Sequence, residues 1–176
     1  KKQAGPEGRR ENGATAKEIQ MVREEWLREW IPKLTSAEIP INPYRVIWDL
    51  MHTVDRAQTI VTHDSGYPRD QMVPFYEAVA PNGYIGWGKS TQLGYGLGLA
   101  MGAKLAASQK LVVNVMGDAA FGMVGMDFET AVRAQIPILT IILNNGGMGG
   151  YEHHLPIAVE RYNFKALLGD YTKIAD

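Results

Sequence analysis

The chain has 176 residues, 45% hydrophobic and 21% charged, which is enough for one domain with a real core and ordinary for a soluble globular protein. A formal net charge of -1 argues against a nucleic-acid or anionic-membrane surface, and the lack of cysteine excludes disulfides and thiolate metal sites. Residues 1–15 hold no apolar signal core, and no stretch reaches the roughly 18 uninterrupted apolar residues of a membrane span. A soluble, cytoplasmic protein is expected, with no membrane or nucleic-acid partner.

Residues 1–14 are rich in Gly, Lys, Arg and Glu and read as a flexible lead-in. Thr15-Ala16-Lys17-Glu18 has the form of a capping box. A helix is expected from there to Trp30, with Ile19, Val22, Trp26 and Trp30 along one stripe and Pro32 as its stop. This first part, residues 1–40, reads as a linker with its helix, and the domain proper as residues 41–176. Asn42-Pro43 is a good N-cap and first helical residue, and a helix to Thr53 would bury Val46, Ile47, Leu50 and Met51. A short strand follows at residues 59–62, running into the polar loop His63-Asp64-Ser65-Gly66. Residues 71–80 read as a helix and Pro81-Asn82-Gly83 as a turn.

The next stretch is dense in glycine, and its later half, residues 93–107, reads as a helix packed close to its neighbours. Residues 110–116 form an apolar strand ending at Gly117-Asp118, residues 126–134 a helix, and residues 137–143 a second apolar strand ending at Asn144-Asn145. Nearly continuous apolar strands belong to parallel sheets covered by helices on both faces. The strand–helix–strand order implies a right-handed crossover, which puts both polar pairs at the carboxyl edge where open α/β sheets bind ligands. An Asp and an Asn there offer one anionic and one neutral oxygen, the hard donors that magnesium bridges to phosphate.

A competing phosphate motif, Gly83-Tyr84-Ile85-Gly86-Trp87-Gly88-Lys89-Ser90, fits the P-loop pattern letter for letter and raises a nucleotide hydrolase as an alternative. Its context is against it. Ala80-Pro81-Asn82 precedes it where a buried strand is required, and the helix that should follow carries three glycines between residues 91 and 98. Gly94, Gly96 and Gly98 also miss the dinucleotide fingerprint, because Leu99 stands at the third glycine's place.

Gly117-Asp118-Ala119, a spacer of 24 residues and Asn144-Asn145 resemble the signature of thiamine-diphosphate enzymes, Gly-Asp-Gly followed at a similar spacing by Asn-Asn. The segment from Gly94-Tyr95-Gly96 to Lys104-Leu105-Ala106 is similar to the glycine-rich run before that motif in the acetolactate synthase and 2-oxoacid decarboxylase type. The resemblance covers residues 40–176. It implies the diphosphate-binding domain of that fold, an α/β parallel sheet with helices on both faces, here stopping before the last strands. It implies thiamine diphosphate and Mg2+ as cofactors. Asp118 and Asn145 match the side chains that bind magnesium, and Gly147 matches the residue whose carbonyl joins them. Gly117, Ala119 and Ala120 match the turn whose amides meet the diphosphate, with Ala119 replacing the usual glycine. Ser65 and Gly66 match a second diphosphate loop. Leu93 matches the apolar residue that bends the cofactor, and Thr91 the one whose carbonyl receives its amino group, so these two carry the catalytic expectation.

The resemblance also implies a lyase or transferase that decarboxylates a 2-oxo acid or forms a carbon–carbon bond. The glutamate that activates the cofactor lies, in that family, on a pyrimidine-binding domain of the same or another subunit. A homodimer or tetramer is therefore expected, and this chain reads as a fragment that by itself anchors cofactor poorly and does not turn over. Alternatives are an oxalyl-CoA decarboxylase or 2-hydroxyacyl-CoA lyase type, acting on an acyl-CoA, and a non-catalytic assembly module that keeps the cofactor fold. Outside the motif, His63-Asp64 at the ligand edge is a weaker candidate for cofactor or substrate contact, and His153-His154 after Tyr151-Glu152 for acid–base catalysis. His52 reads as a surface residue, Glu129 as a satisfied helix polar group, and Met116, Met123, Met126 and Met148 as packing.

Overall fold

Valine- and isoleucine-rich runs give the central sheet of the computed structural model, which describes residues 13–87 and 92–174. Two compact units divide the chain, residues 1–46 and 47–176.

The first unit is dominated by α1, Ala14–Leu34. The capping box is not used: Gly13 caps α1 in the left-handed region at φ 70°, with no side-chain bond. Pro32 lies inside the helix instead of ending it. Proline so near a C-terminus removes one bond only, and Thr35 makes the stop, donating its N–H (2.9 Å) and its hydroxyl (2.8 Å) to the Ile31 carbonyl. The expected apolar stripe is divided. Ile19 and Val22 are exposed, while Trp26, Trp30 and Tyr44 form an aromatic ladder with ring separations of 6.0 and 5.1 Å. Helix α2, Pro43–Thr53, spans the boundary between the units, and the Asn42 side chain accepts the Tyr44 N–H at 3.0 Å as an N-cap should.

The second unit is an α/β layer structure. Strands β1 (Thr59–His63), β2 (Tyr84–Ile85), β3 (Leu111–Gly117) and β4 (Leu139–Leu143) pair in parallel in the order β2-β1-β3-β4. β1 is buried along its whole length. Helix α3 (Tyr67–Phe75) and helix α4 (Tyr95–Ala106) pack on β1 and β3. One core cluster joins Ile60 and Val112 of the sheet to Ala100 and Ala103 of α4. A second joins Leu97 and Met116 to Ala120 and Phe121. The last two residues belong to α5, Asp118–Val124, which is followed by α6, Asp127–Arg133.

Helix α3 begins at Tyr67, not at residue 71, because Gly66 and Pro68 build its start. It ends at Phe75, one residue after Pro74, and Tyr76 is extended. The turn before β2 forms as expected, with Asn82 at φ 58°. β2 itself falls within the glycine-rich stretch. Residues 151–162 form the short helices α7 (Tyr151–His154) and α8 (Pro156–Tyr162), before a final 3-10 turn at Tyr171–Ile174. Among the described residues no helix is long and apolar enough to cross a membrane.

Candidate functional site

Parallel pairing aligns the strand ends. Gly117 pairs with Leu143, and His63 with Val115, so Asp118, Asn144-Asn145 and Asp64-Ser65 all emerge at one edge. Asp118 opens α5 and is only 2% exposed. Its Oδ1 accepts the Ala119 N–H at 3.0 Å, while its Oδ2 is buried with no hydrogen-bond partner. A buried carboxylate oxygen without a donor is costly, and a cation is the natural remedy.

The loop after β4 faces the same edge. The Asn144 and Asn145 side-chain oxygens accept the N–H groups of Gly146 (3.0 Å) and Gly147 (3.1 Å). Gly147 sits opposite Ala166 in an antiparallel bridge whose bonds are made by Met148 and Leu167. The Gly147 carbonyl is outside those bonds, and the Asn145 oxygen keeps a lone pair. Across the edge lies the start of α3: a side chain at Gly117 would begin 3.8 Å from Pro68, and one at Gly149 2.8 Å from the Tyr67 ring. One buried carboxylate oxygen, one amide oxygen and one free carbonyl are the hard donors a magnesium ion takes when phosphates complete its shell. The residues present therefore fit the cation.

The family described as "Thiamine pyrophosphate enzyme, C-terminal TPP binding domain" matches residues 64–175, most of the second unit. The chain belongs to this family. It is 33% identical over 156 residues to a "Probable acetolactate synthase" of Mycobacterium bovis, covering 79% of this chain and 28% of that protein. It is 30% identical over 127 residues to a "2-hydroxyacyl-CoA lyase" of Arabidopsis thaliana, covering 70% of this chain and 22% of that protein. A "Probable acetolactate synthase large subunit" of Methanococcus aeolicus is 28% identical over 123 residues, covering 68% of this chain and 20% of that protein. The chain thus spans less than a third of the length of these relatives.

Within this thiamine-diphosphate domain the remaining expected residues fall as follows. Ala119 and Ala120 lie in the first turn of α5, and neither has a positive φ, so the methyl of Ala119 is tolerated. Leu93 is half-buried and packs against the cluster of Leu97, Met116, Ala120 and Phe121. Thr91 lies outside the described residues, as do Lys89 and Ser90 of the P-loop pattern. Tyr84 and Ile85, which a phosphate loop would need as a turn, are strand paired to Val61 and Thr62. Gly66 is exposed at the cap of α3, but Ser65 is buried and occupied. It donates its N–H to Asp64 (2.8 Å) and its hydroxyl to the Gln92 carbonyl (2.7 Å).

Asp64 is the residue whose task the pattern did not reveal. It is fully buried and accepts the N–H groups of Ser65, Gly94 and Gly96 at 2.8 to 3.1 Å, capping α4 from thirty residues upstream. Gly96 must be glycine, since a Cβ there would lie 2.9 Å from Asp64 Oδ2 and 2.8 Å from Asn114 Oδ1. An Asp after a strand and a Gly-x-Gly opening a helix were the available signals.

His63 is also buried. Its Nδ1 lies 3.1 Å from the Asp64 carbonyl, which can only accept, so that nitrogen carries the proton. The Tyr95 hydroxyl is 3.2 Å from the same nitrogen, and Tyr84 stacks on the ring at 5.3 Å. Burial pushes this imidazole below its usual pKa. His153 and His154 are exposed on α7, and His52 is exposed and stacked on Trp48. Glu129 pairs with Arg133 at 2.8 Å, as a satisfied helix residue does. Met116 is core, while Met123 and Met126 are exposed. A groove of about 400 Å³ lined by Phe128, Val132, Ile136 and Pro137 lies at the far end of β4 from this edge.

Proposed function

We propose that this chain holds the Mg2+–diphosphate end of thiamine diphosphate in an acetolactate synthase-like enzyme that decarboxylates a 2-oxo acid, joins it to a second carbonyl, or both. Asp118 Oδ2, the Asn145 side-chain oxygen and the Gly147 carbonyl are the protein's ligands to the ion. The turn of Gly117, Ala119 and Ala120 faces the diphosphate, the Ala119 N–H shared with Asp118 Oδ1, with Gly66 at the opposite wall. Leu93 supports the cofactor's bend and Thr91 receives its amino group. Ser65 acts through the loop it ties to Gln92. When bound, the cofactor supplies the nucleophilic and electron-accepting chemistry of decarboxylation. The protein's part is to anchor its charged end, set its shape and exclude water.

The observation that carries this reading is the buried, unpartnered Oδ2 of Asp118 at a strand end beside the Asn145–Gly147 loop. Titration calorimetry with Mg2+ and thiamine diphosphate tests it. Asp118→Ala should weaken binding by roughly 10- to 100-fold or more, at least the loss typical of a residue one layer further from a metal. Equal binding by both proteins would remove Asp118 from the site.

The activating carboxylate comes, on this reading, from a pyrimidine-binding domain of the same or another subunit in a homodimer or tetramer. A second reading, a 2-hydroxyacyl-CoA lyase or related acyl-CoA enzyme, is supported by the 30% identity to the plant lyase. Turnover of the intact protein with pyruvate and with a 2-hydroxyacyl-CoA separates the two.

A further inference from the structure

The sheet does not by itself set the distance between Asp118 and the Asn145–Gly147 loop. Gly117–Leu143 is the last paired position, and both sets of donors lie beyond it. Magnesium demands near-ideal octahedral geometry, so something else must hold the loop. Residues 163–171 cross both halves.

At one end this segment is stitched to the loop. The Met148 N–H donates to the Lys165 carbonyl at 2.8 Å, and the Leu167 N–H donates to the Gly146 carbonyl at 2.9 Å. Phe164 meets Tyr151 edge to face at 5.2 Å. At the other end Tyr171 lands on α5, edge-on to Phe121 at 5.4 Å and against the cluster that includes Ala120. Its hydroxyl is 3.8 Å from where a side chain at Gly122 would begin, one turn along from Asp118. Burial and then the charge of Asp118 raise its phenol's pKa. Asp170 fixes the turn, accepting the Thr172 hydroxyl at 2.6 Å and its N–H at 3.3 Å. Gly169 makes room for the ring, because a Cβ there would lie 2.7 Å from Tyr171 Cζ.

We propose that Tyr171 is a positioning residue: it pins segment 163–171 to α5 and thereby sets the separation between the Asp118 carboxylate and the Asn145–Gly147 loop. It makes no bond to Asp118, whose Oδ2 stays free for the ion. The inference rests on the cation site proposed above. The ring does the work, so phenylalanine should replace tyrosine and alanine should not. Displacing the ring from Gly169 should act like removing it.

The test uses the full-length protein in its native assembly, with thiamine diphosphate and Mn2+ as a paramagnetic probe read by electron paramagnetic resonance. Tyr171→Ala and Gly169→Ala should each weaken Mn2+ binding by about tenfold and change the bound-ion line shape, as loss of a supporting contact does elsewhere. Tyr171→Phe should stay within about twofold of wild type, with the wild-type line shape. If Tyr171→Ala does not fold, Gly169→Ala, which keeps the ring, decides. Wild-type affinity and line shape in the folded alanine variants, or a phenylalanine variant as weak as alanine, overturn the inference and leave the cation site standing. A wild type that binds no Mn2+ overturns the site and this inference together.

Discussion

Asp118 shows a carboxylate that the fold tolerates at a cost. It is 2% exposed, one oxygen bonds a neighbouring amide and the other bonds nothing. Leaving such a group unpaired typically costs about 1–3 kcal/mol or more. Without Mg2+ and cofactor, Asp118→Asn should therefore melt higher than wild type. With both added the order should reverse, because only the wild type gains the stabilisation of a bound ion. Thermal melts of the two proteins with and without Mg2+ and thiamine diphosphate check this, and an unchanged order would remove the ion from Asp118.

His63 carries a pH signature of its own. Burial is the largest influence and lowers its pKa from 6.5, the bond to the Asp64 carbonyl raises it, Arg69 lowers it, and the charges of Asp64 and Asp70 raise it. The net folded value lies below the unfolded one, so the unfolded chain binds more protons as the pH drops. The stability this imidazole contributes is full above pH 6.5 and is lost as the pH falls through the folded value. His63→Gln should lose less stability than wild type between neutral and mildly acidic pH, measured by urea unfolding. Parallel losses would sink the idea. The place of Asp118 at a strand end was legible because an apolar run leads directly into Gly117-Asp118. The role of Asp64 was not, since three amides converge on it from two segments brought together only by the fold.

At the scale of elements, legibility follows length and periodicity. β1, β3, β4 and α4 were readable because strands of five to seven residues rich in β-branched and apolar side chains, or a glycine-alanine helix face, favour one packing arrangement. β2 has two residues, too short for any period, and its identity depends on pairing with Val61 and Thr62. Pro32 misleads for a related reason: near a C-terminus a proline loses one bond, and Thr35 decides the end. The close seating of α4 on β1 makes its own prediction. Gly96→Ala would push a methyl to within 2.8 Å of Asn114 and 2.9 Å of Asp64, both fully buried. Overpacking of this kind costs about 1–3 kcal/mol. Chemical denaturation should show that loss, while Gly98→Ala, with nothing within 4 Å, should be neutral or stabilising.

For the second unit, the strand order β2-β1-β3-β4 gathers Ser65, Gly66, Asp118, Asn145 and Gly147 at one edge, although they are spread from residue 65 to residue 147. That edge fits a cofactor's charged end, but among the described residues it shows no group placed to activate the other end. Among the described residues its buried carboxylates are Asp64, spent on three amides, and Asp118, proposed above as a ligand to the ion. His63 is enclosed by Gly86, Tyr84 and Tyr95, with its Nδ1 proton on a carbonyl. General acid–base work needs a group within reach of the reacting atoms; Asp64 and His63 are enclosed, and on the proposed reading the free oxygen of Asp118 faces the ion. Residues 1–176 expressed alone should therefore bind thiamine diphosphate with Mg2+ weakly and release no carbon dioxide from pyruvate. The same chain supplied with the pyrimidine-binding part of the enzyme should bind the cofactor more tightly and release carbon dioxide. Carbon dioxide release by the isolated chain would show that one of its own residues activates the cofactor, and would favour the exposed pair His153 and His154 as catalytic groups.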